Sequence, residues 1–360
     1  MGELPTSLHE LSPEWLTVAL GDLLGGGTVS SVLVDDIGVG VGVFGTIGRL
    51  KLTYSDAGPL APSTLIAKLP TDAEANRAVG VALGLYEREH HFYRTFADAP
   101  PFPMARCYLT LGDPGAGRWV LLLEDLGRLE AGDQLAGLGP GRATRMVETL
   151  AAFHAAWWES PDLEDMTWLP TQDHPMYLAS VPPLVSAGMD ALAGSDLHLP
   201  AGALELGRRV DAVFPEIIHR CAAGPRTMVI GDARLDNLFF LPGTDEPTVI
   251  DFQMALRCRG VYDLVWLLAT SMDPAVQDAH ADALLARYHR TLAEHGIRIS
   301  EGDLRRAAAE HAAYLLSGPL SLMGTFDFSS LGNGRSAELT RRWVARGFNL
   351  ALRYGAADVL

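Results

Sequence analysis

The stretch MVIGDARLDNLFF, from Met228 to Phe240, sets two aspartates, an arginine and an asparagine inside an otherwise apolar run. Charged groups beside buried apolar surface are costly unless they are paired, hydrogen-bonded or bound to a metal. The plainest account is a polar turn between two short strands, TMVI and LFFL, because Asp and Asn side chains stabilise turns. The rest of the chain decides between such a turn and a built site.

Composition narrows the field. A chain of 360 residues at 48% hydrophobic is larger than a single core usually supports, so two joined lobes are expected. The net charge of −16, from 28 basic and 44 acidic residues, argues against a nucleic-acid or anionic-membrane surface and favours a cationic or neutral partner. Cys107, Cys221 and Cys258 lie far apart with no CxxC spacing. The opening MGELPTSLHELSPEW lacks the basic and apolar regions of a secretory leader. Apolar stretches such as GVYDLVWLLATSM are shorter than the roughly 20 residues needed to span a bilayer. A cytoplasmic chain is expected.

The basic residues are unevenly chosen. Only Lys51 and Lys68 are lysines, and the other 26 are arginines. Arginine-biased coding explains the scarcity, but not the survival of Lys68 inside the strand-like run TLIAKLP. A compact ammonium suits a phosphate oxygen paired with a carboxylate; a strand-end lysine reaching out to water is the structural alternative.

Along the chain, Ser12 as N-cap, Pro13 and Glu14 open a helix with an apolar stripe of Leu11, Trp15, Leu16 and Leu20. Two strand-like runs then flank Gly40, Gly42 and Gly45, which satisfy GxGxxG. A dinucleotide fingerprint would open a helix, whereas TIGRLKLTY alternates as a strand, so these glycines are placed at a hairpin able to fold backbone N–H groups over phosphates. TDAEANRAVGVALGLYEREHHFYRTFA reads as helical and carries Glu87 and Glu89, and RWVLLLEDLG reads as a buried strand ending in Glu124 and Asp125. From Gly139 onward helices dominate, and only the opening stretch and PTVIDFQM look like strands. His154, on a core helix, reads as a satisfied core histidine.

The order of a glycine-rich hairpin, a strand lysine, a helix acid, Asp232 followed five residues later by Asn237, and Asp251 in VIDFQ resembles the protein-kinase-like fold. Within it, the chain resembles the aminoglycoside phosphotransferases and ecdysteroid-kinase-like small-molecule kinases. LAAFHAAWW and RGVYDLVWLL are similar to that small-molecule branch, and the likeness covers roughly residues 30 to 270. It implies an α+β fold of two lobes: a small β-rich N-lobe over residues 1–126 and a larger, mainly helical C-lobe over 127–360.

The resemblance also implies a chemistry. Phosphoryl transfer is catalysed mainly by positioning and charge stabilisation. Asp232 is expected to orient the acceptor hydroxyl as general base, with Arg234 near the transferring phosphoryl group. Asn237 and Asp251 offer hard oxygen ligands for Mg²⁺. Lys68, fixed by Glu89 or else Glu87, would hold the phosphates of ATP or GTP beneath the glycines, with backbone groups of Glu124, Asp125 and Leu126 reading the base. Asp263 resembles the acid that braces the catalytic loop.

Two departures from the family matter. Ile230 stands where relatives have the histidine of His-Gly-Asp, and Gln253 replaces the glycine after the metal aspartate. A protein kinase is disfavoured because only twelve residues separate Asp251 from Asp263, without the long substrate-binding segment. A small hydroxylated acceptor is therefore expected. TQDHPMY, around Asp173 and His174, and MGTFDFSSLGNGR, around Asp327 and Arg335, read equally as acceptor-pocket segments and as surface loops. A catalytically inactive nucleotide-binding or scaffold protein is the alternative from another class.

Overall fold

The computed structural model describes residues 3–37, 43–325 and 334–360. Gly40, Gly42 and Asp327 lie outside these described residues. The chain divides into two compact units, Met1–Leu129 with Val249–Met254, and Glu130–Thr248 with Ala255–Leu360.

The first unit is built on an antiparallel five-stranded sheet. Its strands are β1 (Thr28–Asp36), β2 (Gly45–Ser55), β3 (Thr64–Pro70), β4 (Cys107–Asp113) and β5 (Arg118–Glu124), in the order β1-β2-β3-β5-β4. Side chains alternate along a strand, so Leu50 and Leu52 of β2, Leu65, Ala67 and Leu69 of β3, and Val120 and Leu122 of β5 share one buried layer. Leu16 of the Pro13–Ala19 helix and Leu20 at its C-cap join it. Ser12 caps that helix by accepting the Trp15 N–H at 3.2 Å.

The region expected as one helix over residues 71–97 is two, Glu74–Ala82 and Leu85–Thr95. Gly84 separates them with φ +65°, a left-handed backbone that glycine adopts without cost. The second helix packs on β4 and β5. One turn beyond Glu89 it presents Phe92 and Tyr93, which enclose Phe252. Phe92 stacks on Phe252 at 4.0 Å and 10°, and Tyr93 meets it edge-on at 5.4 Å. The fully buried Phe252 thus fixes the segment carrying Asp251 to the helix carrying Glu89.

The second unit is mainly helical. Pro140–Ala156, Val261–Ser271, Pro274–Glu294 and Glu301–Tyr314 contribute much of its core, and the Pro175–Ala193 and Ser317–Thr325 helices pack closely together. Its strands are short: β6 (Glu130–Ala131), β7 (Thr227–Val229), β8 (Leu238–Phe240), β9 (Pro247–Val249) and β10 (Leu256–Cys258). β7 pairs with β10, while β6, β8 and β9 form a second small sheet. β6 and β10 leave no sign in the sequence pattern because two or three residues carry too little alternation to register. Among the described residues, no helix is long and apolar enough to cross a membrane.

Replacing a buried aromatic ring leaves a cavity, so Phe252→Ala should lower the unfolding free energy by about 3–5 kcal/mol. Urea titration followed by circular dichroism reads this; a loss below about 1 kcal/mol would contradict the packing described.

Candidate active site

Strand β3 buries Leu65, Ala67 and Leu69 on one face and carries Lys68 on the other. The Lys68 ammonium is enclosed by two carboxylates. Its Nζ lies 2.7 Å from Glu89 Oε2 and 3.0 Å from Asp251 Oδ1. Of the two acids weighed on the helix, Glu89 makes this contact, while Glu87 lies 3.8 Å from His91 and is more exposed. Burial alone would push the Lys68 ammonium down, but the Asp251 and Glu89 charges outweigh it and hold the group above its ordinary range. Burial and the Asp251 charge push the Glu89 carboxyl up against the pull of Lys68. Asp251 also has φ +67°, a left-handed backbone at a non-glycine residue. Such strained positions cluster at functional sites.

The stretch at Met228–Phe240 folds as β7, an irregular loop with a 3₁₀ turn over Leu235–Asn237, and β8. The loop is held from below. Asp263 accepts the backbone N–H groups of Ile230 at 2.8 Å and Gly231 at 2.9 Å. His154 Nε2 lies 3.1 Å from Asp263 Oδ2, and its Nδ1 lies 2.8 Å from the Tyr288 hydroxyl. Ile230 fills its position apolarly at 1% exposure, and Gly231 takes φ +81°. Ser271 Oγ accepts the Leu235 N–H, and Asp236 Oδ1 accepts the Gln134 N–H at 2.7 Å.

These contacts place Asp232 at the loop's polar centre, with only 8% of its surface exposed. Trp266 Nε1 donates to its Oδ1 at 2.9 Å. Asn237 Nδ2 donates to its Oδ2 and to its backbone oxygen, both at 3.0 Å. Arg234 Nε lies 3.3 Å from Oδ2. Each carboxylate oxygen has two lone pairs, so these bonds fix the group while leaving capacity for a hydroxyl donor. Because Asn237 uses its nitrogen as donor, its Oδ1 remains an acceptor or ligand oxygen.

Other expected site residues are distributed as follows. Gly45 opens β2 beside Lys68: a Cβ added there would stand 3.4 Å from Lys68 Cε. Asp125 holds Arg49 through two bonds, at 2.8 and 3.2 Å. Burial opposes its ionisation, but Arg49 and the Gly127 N–H hold its carboxyl below the ordinary range. Glu124 accepts the Arg106 N–H and pairs with Arg128 at 2.8 Å, and its own N–H is bonded to Arg106. The Leu126 carbonyl accepts the Leu129 N–H. Two of the backbone groups expected to read a base are therefore already bonded within the unit. His174 caps the Pro175–Ala193 helix through the Met176 N–H. Arg335 binds Asp133 at 2.7 Å and the loop residue Asp236 at 3.3 Å.

Nothing in the sequence marks Trp266 as a polar-site residue, although YDLVW places it three residues after Asp263 on one helix face. Among the described residues, no group of three or more His, Cys, Asp or Glu side chains is placed to hold a metal. Mg²⁺ takes hard oxygen ligands and keeps several waters, so it does not need such a cluster; the Asp251 carboxylate and the Asn237 amide oxygen are each donors of that kind.

Solved structures share this architecture. A candidate aminoglycoside phosphotransferase from Ralstonia eutropha JMP134 matches with TM-score 0.55 at 17% identity, covering 94% of this chain and 98% of that one. The choline kinase of Cryptosporidium parvum Iowa II gives TM-score 0.55 at 7% identity, with 91% of each chain covered. The amicoumacin kinase hAmiN, solved with AMP-PNP, Ca²⁺ and Ami, gives 0.52 at 11%, covering 94% and 95%. At these identities the likeness establishes the protein-kinase-like fold. No curated protein matches the sequence. The model of the phosphotransferase enzyme family matches residues 61–299, which include Lys68, Glu89, the loop with Asp232 and Asn237, and Asp251. By that match, the chain belongs to the phosphotransferase enzyme family.

Proposed function

We propose that the protein is a small-molecule kinase that moves the γ-phosphoryl group of ATP or GTP to a hydroxyl of a small acceptor. One observation carries this reading: the ionisable set is complete and engaged, with Lys68 locked between Glu89 and Asp251 and Asp232 held by Trp266 and Asn237. A degenerate, purely nucleotide-binding relative would be expected to lack at least one of these groups.

In this reading Lys68, kept charged by its carboxylates, holds phosphate oxygens of the nucleotide, and Gly40, Gly42 and Gly45 let the backbone approach those phosphates. Backbone groups of Glu124, Asp125 and Leu126 that remain unbonded serve the base. Asp251 and Asn237 would hold Mg²⁺, which supplies charge neutralisation on the phosphate oxygens when bound. Asp232 accepts a hydrogen bond from the acceptor hydroxyl, aligns its oxygen for attack and takes its proton. Arg234 exchanges its contact with Asp232 for the developing phosphoryl charge.

Asp232→Ala and Asp251→Ala should each slow nucleoside-diphosphate release from Mg·ATP or Mg·GTP by at least about 10²–10³, as loss of a main positioning or charge-stabilising group does. A rate within threefold of the unaltered protein for either variant would sink the assignment. The two helix acids give a sharper contrast. Glu89→Gln leaves Lys68 with one carboxylate in a buried site and should cost at least about tenfold in kcat/KM for nucleotide. Glu87→Gln, at the surface, should stay within about twofold. Equal effects would contradict the role given to Glu89.

A further inference from the structure

The polar contacts of Asp232 end at an aromatic surface. Trp266, whose indole N–H is bonded to Asp232 Oδ1 at 2.9 Å, keeps part of its ring in solvent. Tyr262 lies parallel to it at 6.0 Å, and Trp343, also partly exposed, meets it edge-on at 5.2 Å and 81°. Gly318 makes room for both indoles: a Cβ there would collide with the Trp343 ring and stand 3.3 Å from that of Trp266. Tyr314 adjoins Tyr262 at 6.2 Å, and Tyr177 lies near both phenols. Among the described residues the buried Trp343 indole N–H has no acceptor, a donor that an oxygen of a bound molecule would satisfy.

The charge around these rings is as informative as the rings themselves. The Pro175–Ala193, Val261–Ser271 and Ser317–Thr325 helices carry only two charged residues, Asp190 and Asp263. Asp263 is fully buried and committed to the loop backbone and His154. Asp190 is thirteen residues from Tyr177, or about 20 Å along the helix. The Arg335–Arg353 helix, which carries Trp343, has five arginines and one acid, Glu338, which is paired to Arg341 and Arg342. A polycationic acceptor needs carboxylates free to surround its ammonium groups. The arginines of this helix already engage Asp133, Asp236, Asp273, Asp278 and Asp282, and beside Asp232 the helices offer aromatic rings instead.

We infer that the acceptor is a neutral alcohol with a flat apolar face, an aromatic or fused-ring compound that lies against Trp266 and Trp343 with its hydroxyl at Asp232. This rests on the reading of Asp232 as the group that orients the acceptor. In the step, the acceptor oxygen bonds to the γ-phosphorus of ATP or GTP, and its proton passes to Asp232. The bond from that phosphorus to the β,γ-bridging oxygen breaks, releasing the nucleoside diphosphate. Because aromatic rings also attract quaternary ammonium ions, that class belongs in the test.

The chain has seven tryptophans, few enough for the indole N–H signals of Trp266 and Trp343 to be assigned by NMR from Trp266→Phe and Trp343→Phe. The unaltered, tryptophan-labelled protein is titrated with 2-(2-naphthyl)ethanol, kanamycin A and choline. The naphthyl alcohol should shift both signals saturably, and Trp343→Ala should weaken its binding at least about tenfold. Shifts of these signals with kanamycin A or choline but not the naphthyl alcohol would overturn the inference, as would no saturable shift with any probe. Nucleoside-diphosphate release in the same samples separates the two levels. Saturable naphthyl shifts without turnover uphold the aromatic site and count against phosphoryl transfer; turnover of kanamycin A without shifts does the reverse.

Discussion

A single buried carboxylate, Asp263, sets the shape of the loop on which the proposed chemistry depends. It receives two successive backbone N–H groups, from Ile230 and Gly231, and lies against His154, all without exposure to water. Buried backbone donors without partners cost about 1–3 kcal/mol each, so the carboxylate both satisfies them and permits only one path for the chain. Asp232 follows immediately, and its direction is inherited from that path. Ile230 shows that the contact does not require a histidine in the loop itself, since a histidine from the Pro140–Ala156 helix reaches the same carboxylate.

The ion set of the first unit follows a parallel logic. Lys68 is on a strand whose other face is core, so burial would drive its charge out unless carboxylates compensated. Glu89 supplies one from a helix on the sheet, and Asp251 the other from a segment anchored by Phe252. Packing and electrostatics are inseparable here, because the helix that offers Glu89 offers Phe92 and Tyr93 to the Phe252 ring one turn on. Such a group is costly to build as mere structure: apolar residues of similar volume often do as well in a core.

Much of this was legible in the sequence, and for local reasons. Asp232 and Asn237 are five residues apart, and a polar run flanked by apolar strands stands out against its surroundings. Lys68 stood out because lysine is rare in this chain. The Ser12 cap and the alternation of β2 and β3 likewise depend on near neighbours. What depends on distant neighbours was hidden. Trp266 looks like one more apolar residue of a core helix until its N–H is seen on Asp232. His154 is the satisfied core histidine its helix position suggests, but the partners that satisfy it, Asp263 and Tyr288, lie more than a hundred residues away. Arg335 lies 99 residues from Asp236, and no spacing rule reports such a pair. The break at Gly84 was missed because apolar periodicity continues on both sides of it.

Phosphorus NMR of the unaltered protein with Mg·ATP and graded acceptors tests most directly whether this chain forms a new phosphate ester on a small alcohol. A phosphate-monoester signal should grow in step with nucleoside diphosphate, and only when an acceptor is present. Saturable nucleotide binding with no ester formed from any acceptor would contradict the account and leave a nucleotide-binding member of the fold in its place.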